Sequence, residues 1–259
     1  MISLSRRVPK SRMLSKYCLV RGGQFKKVNV LLGTKNLETL LSLTPLDVLF
    51  GILGIIWVLL CVKMLSKLWY RFLINRGVME IKAIYSTRKF LHIWAAGIMG
   101  LATPFLFSGP MIPFVSSLII ALMIYIPHRK GKLLRWFQVE ENIDEVYFCI
   151  MWGLTILVMW TIFLDPWYGV LPTVFMAIGD SIAGEVRSLL YNVRTKAWIG
   201  NLAMMLFCVP IGFVTLGIIG AISGAFASII EHFEFIDDDV SIPLFSCLAT
   251  ILLSMFFSL

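Results

Sequence analysis

The sequence predicts an all-α fold, a polytopic transmembrane helix bundle of about eight spans. Three observations carry that expectation. Hydrophobic residues make up 59% of the 259-residue chain, and its mean hydropathy is +0.87. Apolar runs near the ~20 residues that cross a bilayer recur along it. Those runs do not alternate apolar and polar residues, as the strands of a transmembrane barrel would.

Residues 1–37 hold nine Lys or Arg and no Asp or Glu. An acid-poor run of this kind suits a targeting segment or a polybasic arm on anionic lipid heads, worth about 1 kcal/mol per cation near the surface. The moderate Arg and Ser bias favours the arm. Residues 1–45 are therefore read as a basic tail and residues 46–259 as a single transmembrane domain. The spans run about 46–66, 90–108, 110–127, 146–164, 167–183, 199–215, 217–233 and 241–259. Residues 63–89 mix Lys63, Lys67, Arg71 and Arg76 with Leu, Trp, Tyr and Phe, a pattern that suits an interfacial amphipathic segment.

Charge orients the bundle. Loops 63–89, 128–145 and 184–198 carry clusters of Lys and Arg, and the turns near 109, 165 and 216 carry none. The basic set is expected to face the cytoplasm, with the acidic loop 231–240 on the same face. A fully crossing first span would put the basic tail outside. Either the tail is removed, or residues 46–66 enter and leave on one side, or the charge rule fails there. Cys18, Cys61, Cys149, Cys208 and Cys247 form no CxxC and no Cys/His cluster, which excludes a zinc site or disulfide framework. With no domain to shape a groove, nucleic acid is excluded as a partner. Oligomeric state leaves no mark in the sequence.

Four polar stretches fall on the expected cytoplasmic side. Arg88 and His92 are four apart and share a helix face with Lys89 beside them. Snorkelling explains Arg and Lys at a span end as readily as a site does, but His92 lies a turn deeper. In AIGDSIAGEVR, Asp180, Gly184 and Arg187 share a face; the plainer reading is an Asp180–Arg187 ion pair capping the helix. In TKAWIGNLAMM, Lys196 is a flexible cation suited to phosphate and Gly200 permits close backbone approach. Trp198 reads as an interface aromatic. Glu231, Glu234, Asp237, Asp238 and Asp239 crowd one short loop. Either the loop is solvated, or a hard cation such as Mg²⁺ neutralises it. Cations for phosphate beside carboxylates for metal equip a site for phosphoryl transfer. Neither GxxxxGK[ST] nor GxGxxG occurs.

The order RKFLH, GDSIAG, KAWIGNLAM and E…DDDVSIPL resembles the polyprenol kinase family, which includes dolichol, phytol and farnesol kinases and the CTP-dependent diacylglycerol kinase. The resemblance covers about residues 84–259. R-K-x-x-H falls on Arg88, Lys89 and His92, and G-D-x-x-A on Gly179, Asp180 and Ala183. K-S-x-x-G-S appears as Lys196, Ala197, Gly200 and Asn201, and D-N-L-x-[IV]-P-L as Asp238, Asp239, Val240, Ile242, Pro243 and Leu244. The chain departs at Ala197, Asn201 and Asp239, and lacks the G-R-x-x-G after the aspartate motif.

What the resemblance implies is a catalytic transmembrane domain that transfers the γ-phosphate of a nucleotide, commonly CTP, to the hydroxyl of a membrane lipid alcohol. Arg88, Lys89, Gly179, Lys196 and Gly200 would then bind the nucleotide's phosphates. Asp180, Glu231, Asp237, Asp238 and Asp239 would hold Mg²⁺. Asp180, His92 and Asp238 would form the catalytic group, with His92 or an acid taking the hydroxyl proton. Two rivals remain. A cytidylyltransferase making a CDP-lipid would carry a late GHGG, which is absent. A lipid transporter would place its ionisable groups at midplane.

Overall fold

The structure, a computed structural model, describes residues 38, 40, 42–191, 195–233 and 236–257. The basic tail falls almost wholly outside them, as do Arg194 and Glu234. Among the described residues seven helices are long and apolar enough to cross a bilayer: α1 (Pro45–Asn75), α2 (Glu80–Leu106), α3 (Met111–Arg129), α4 (Asp144–Phe163), α5 (Pro166–Leu190), α6 (Trp198–Ile230) and α7 (Asp238–Phe257).

The remaining expected span lies inside α6. Its backbone leaves helical geometry at Leu216 and at Gly217, where φ is 62° and ψ is −143°, a combination open to glycine and strained for other residues. Beyond this break the second leg runs back along the first. A Cβ on Gly212 would lie 2.2 Å from the Gly220 carbonyl oxygen, and one on Gly224 would lie 2.6 Å from that of Cys208. Asn201 Nδ2 donates to the Ser228 carbonyl at 2.6 Å. Small residues thus let two antiparallel legs pack closely, and α6 makes two passes.

The first helix crosses from end to end. Its start is a capping box, in which Thr44 Oγ1 accepts from Asp47 N and Asp47 Oδ2 accepts from Thr44 N, with Pro45 in the first helical position. Asp47 Oδ1 also accepts from Ser108 N at 2.8 Å, in the α2–α3 turn. Near the opposite end Trp136, in the α3–α4 loop, donates to the Val62 carbonyl at 3.2 Å. Residues 46–66 therefore do not enter and leave on one side. The amphipathic stretch after residue 63 is not a separate surface helix: α1 continues to Asn75, and Trp69 stacks on Phe90 of α2 at 5.5 Å.

Helix α5 is the axis of the bundle. Within its apolar window 78% of residues are buried, against 22–44% in the other helices. Its Val170, Leu171, Val174, Phe175 and Met176 form the centre of the core. Outward-facing Leu206, Val214 and Phe256 are exposed, the apolar surface expected of a lipid-facing rim. Helices α1, α2 and α5 each contain a widened turn with i→i+5 bonding, at Cys61–Leu65, His92–Gly97 and Phe175–Gly179. The last two touch each other. His92 opens one and Asp180 follows the other; widened turns are frequent at functional sites.

Candidate functional site

The four polar stretches meet at the end of the bundle where α2, α4 and α7 begin and α5 ends. Helix α2 brings Arg88, Lys89 and His92. Arg88 Nη2 donates to Asp144 Oδ2 at 2.9 Å. Its Nε lies 3.1 Å from Glu145 Oε1, but in a geometry that leaves both Glu145 oxygens without a hydrogen bond. Lys89 donates to Asp180 Oδ2, a buried ion pair, and its ammonium sits 5.5 Å from the Tyr85 ring centroid.

Asp180 and Arg187 do not pair, contrary to the plainer sequence reading. Arg187 turns instead to Glu231, with Nη1 2.7 Å from Oε1 and Nη2 2.8 Å from Oε2. Arg187 Nη2 also donates to Asn201 Oδ1 at 2.7 Å, and Nε to the Ala197 carbonyl at 3.0 Å. Lys196 Nζ and Asn201 Nδ2 each donate to Glu231 at 2.9 Å. Glu231 is 1% exposed. Its charge is tolerable at that burial because each oxygen receives two donors.

Burial alone would raise the Glu231 carboxyl. The hydrogen bonds from Arg187 and the Lys196 charge outweigh it and hold the group below its ordinary range. For Lys196 burial pulls downward, and the Glu231 and Asp238 carboxylates hold the ammonium above its usual value. Lys196 Nζ reaches Asp238 Oδ2 at 2.7 Å. Asp237 caps α7, its Oδ1 accepting from Asp239 N at 2.9 Å.

The expected site residues therefore divide. Asp180, Asp238, Asp239, His92, Lys89 and Lys196 converge. Ligand atoms of His92, Asp180 and Asp239 lie within 4.8 Å of one another, as do those of Asp180, Glu231 and Asp238. Glu231, expected as a metal ligand, is occupied by Arg187, Lys196 and Asn201; Asp237, expected likewise, acts as a helix cap. Gly179 and Gly200, expected beside phosphate, face neighbouring side chains. A Cβ on Gly179 would lie 2.6 Å from Cys208 Sγ, and one on Gly200 2.4 Å from Arg187 Nε. Gly200 makes room for the guanidinium. Sequence reasoning passed over Asp144 and Glu145. Acids in a helix's first turn are so commonly dipole partners that nothing local marked them as partners of Arg88.

Beside this cluster a cavity of about 100 Å³ opens among α1, α2, α3 and α4. Its walls are mostly apolar, with Ser116 and Ser117 on the α3 side and the charged or titratable Arg88, His92 and Glu145 gathered at one end. His92 stacks on Phe148 at 3.9 Å. His92 Nδ1, both Glu145 oxygens and Trp152 Nε1 are buried with no hydrogen-bond partner. His92 belongs both to the cavity wall and to the carboxylate group. No family model, curated protein or solved structure matches this chain.

Proposed function

We propose that this chain is a lipid-alcohol kinase, transferring the terminal phosphoryl group of a nucleotide, CTP in the first instance, to the hydroxyl of a membrane isoprenoid alcohol. The observation that carries this reading is the double position of His92. On one side it borders an apolar cavity within the bundle; on the other it stands within 4.8 Å of Asp180 and Asp239. A greasy acceptor and a charged donor can meet only across such a boundary.

The donor set fits a divalent cation. Asp180 brings a hard carboxylate oxygen within 4.8 Å of Asp238 and also within 4.8 Å of Asp239 and His92. When bound, Mg²⁺ neutralises charge on the phosphates. The chain's own groups do the rest. Lys89 and Lys196 now neutralise Asp180 and Asp238 and are placed to turn to incoming phosphate oxygens, freeing those carboxylates. His92 accepts the hydroxyl proton, a role worth typically 10²–10⁴-fold. The acceptor oxygen forms its bond to the γ-phosphorus as the bond to the β-phosphate oxygen breaks, leaving a nucleoside diphosphate and a lipid monophosphate. The cation-rich loops support a cytoplasmic setting for this end, where nucleotide is available.

The test is transfer of label. Purified chain in nanodiscs receives CTP labelled at the γ-phosphate, Mg²⁺ and a prenol. Label is expected in the organic phase. Recovery only as pyrophosphate would reassign the chain to cytidylyl transfer. Label left wholly in CTP, with ATP and diradylglycerols also tried, would sink the kinase reading.

A further inference from the structure

The cavity among α1–α4 carries information about the acceptor. Its lining runs from Gly51 to Val62 on α1, from Arg88 to Met99 on α2 and from Pro113 to Ile124 on α3. At ~1.5 Å per residue each stretch is about 16 Å long. The space open to the centre of a water molecule is about 100 Å³; drawn out over that length it is ~6 Å² in section, and a water's own radius of ~1.4 Å widens this to a channel ~6 Å across, room for one hydrocarbon chain. The far end is lined by Phe107 and Pro113, beside the turn that Asp47 holds through Ser108. The near end carries His92 Nδ1, which has no hydrogen-bond partner, and the Glu145 carboxylate, which faces Arg88 Nε at 3.1 Å but accepts no hydrogen bond; both residues are 6% exposed. A buried polar group without a partner costs about 1–3 kcal/mol, so these atoms are unfavourable unless a ligand meets them.

We propose that this cavity is the acceptor-tail site, shaped for one chain and not two, with a primary hydroxyl held between His92 and Glu145. It rests on the reading of the protein as acting on a membrane alcohol. A staggered carbon chain advances ~1.3 Å per carbon for a C–C bond of ~1.5 Å. The cavity therefore takes roughly twelve main-chain carbons, about three isoprene units. The hydroxyl donates to Glu145 or to His92 Nδ1 and satisfies what the protein leaves open. An isoprenoid double bond would also offer the Trp152 N–H a weak π acceptor. A two-chain diradylglycerol does not fit single file. A longer prenol places only its first units here.

The test needs no nucleotide. The full chain in nanodiscs is photolabelled with farnesol carrying a diazirine, and the labelled residues are mapped by mass spectrometry. Label is expected on Ile55–Val62 and Ser116–Ile120 segments, competed by excess farnesol and at least ~10-fold less by dioleoylglycerol. Ala96→Phe, which puts a ring into the cavity, should cut specific label about tenfold, and Leu122→Phe on the lipid face should leave it unchanged. Should Ala96→Phe fail to fold, Ser116→Phe on the opposite wall gives the same readout. Label scattered over lipid-facing residues such as Leu122 and Phe213, or equal competition by dioleoylglycerol, would overturn the proposal. Specific label without phosphoryl transfer would leave the tail site standing and remove the kinase reading. Transfer without specific label would do the reverse.

Discussion

Two groups of buried charge lie side by side at one end of this bundle, and they are built to opposite standards. Around Arg187 the donors and acceptors are matched: Glu231 alone takes donors from Arg187, Lys196 and Asn201. Around Arg88 they are not. Glu145 is as buried as His92, and its oxygens lack hydrogen bonds. A network with every partner in place rigidifies a fold. A network left open beside a cavity is either a defect or half of a complex. The difference separates charges that position the site from charges offered to a ligand, although the motifs that carry them look alike in sequence.

The sharpest way to break that comparison is Arg187→Met. It leaves the Glu231 carboxylate, at 1% exposure, with only Lys196 and Asn201 as donors, and removing one partner of a buried pair costs about 3–5 kcal/mol at most. We expect a large fall in thermal stability in nanodiscs, with activity lost as a consequence. A variant with wild-type stability would show that the knot is not structural. Asp180→Asn should behave the opposite way. The chain should still fold, with the smaller loss of stability of the two, because the amide oxygen can accept from Lys89 although it no longer balances the ammonium's charge. Turnover should fall about 10³-fold, as should wild-type activity in excess EDTA, on loss of charge neutralisation at the transferring group. Full turnover in EDTA would remove the metal from the mechanism.

His92→Gln sharpens the comparison within the open group. Turnover should fall about 10²-fold with a loss of stability no larger than the ~0.5–1.5 kcal/mol of the ring's stack on Phe148, since its Nδ1 holds nothing in the fold. A larger loss of stability would move His92 into the structural set. Gly200→Ala probes the closed group gently. Its Cβ would press on Arg187 Nε from 2.4 Å, so overpacking of about 1–3 kcal/mol is expected, and activity should follow stability without a change in KM for nucleotide.

The smallest effect is pH dependence. Glu231 lies below its ordinary value, so its contribution to stability is present above that value and is lost as pH falls through the lower folded one. Lys196 lies above its ordinary value, so its contribution holds below that value and is lost as pH rises through the higher folded one. Between the ordinary values of 4.5 and 10.5 the knot's contribution should be flat. A thermal midpoint that moves by several degrees between about pH 6 and 9 and is restored to flatness by Glu231→Gln would contradict this assignment.

Much of the architecture was legible beforehand because burial in lipid is a local and additive property. A window of residues either carries enough apolar surface to cross or does not. The spans, the charged and empty ends, and the fold at Gly217 between two apolar legs all follow from such windows. So does the convergence of RKFLH, GDS, Lys196 and the acidic loop on one end, because alternation of Lys/Arg-bearing loops with turns that hold no Lys or Arg puts them on one side. Partner choice is another matter. Arg187 is seven residues from Asp180 and forty-four from Glu231, and it chose the distant one. Lys89 had already taken Asp180 across the α2–α5 contact, and the folded-back α6 delivers Glu231 to the guanidinium. The widened turns at His92–Gly97 and Phe175–Gly179 leave no mark in periodicity, yet they set which face Lys89, His92 and Asp180 share. Gly200 is free of a side chain for the sake of a guanidinium that no sequence window contains. Hydrophobicity sums along the chain, so it can be read there. Coulomb energy and hydrogen bonding depend on separations of a few ångströms between distant residues, and only the packed helices determine those.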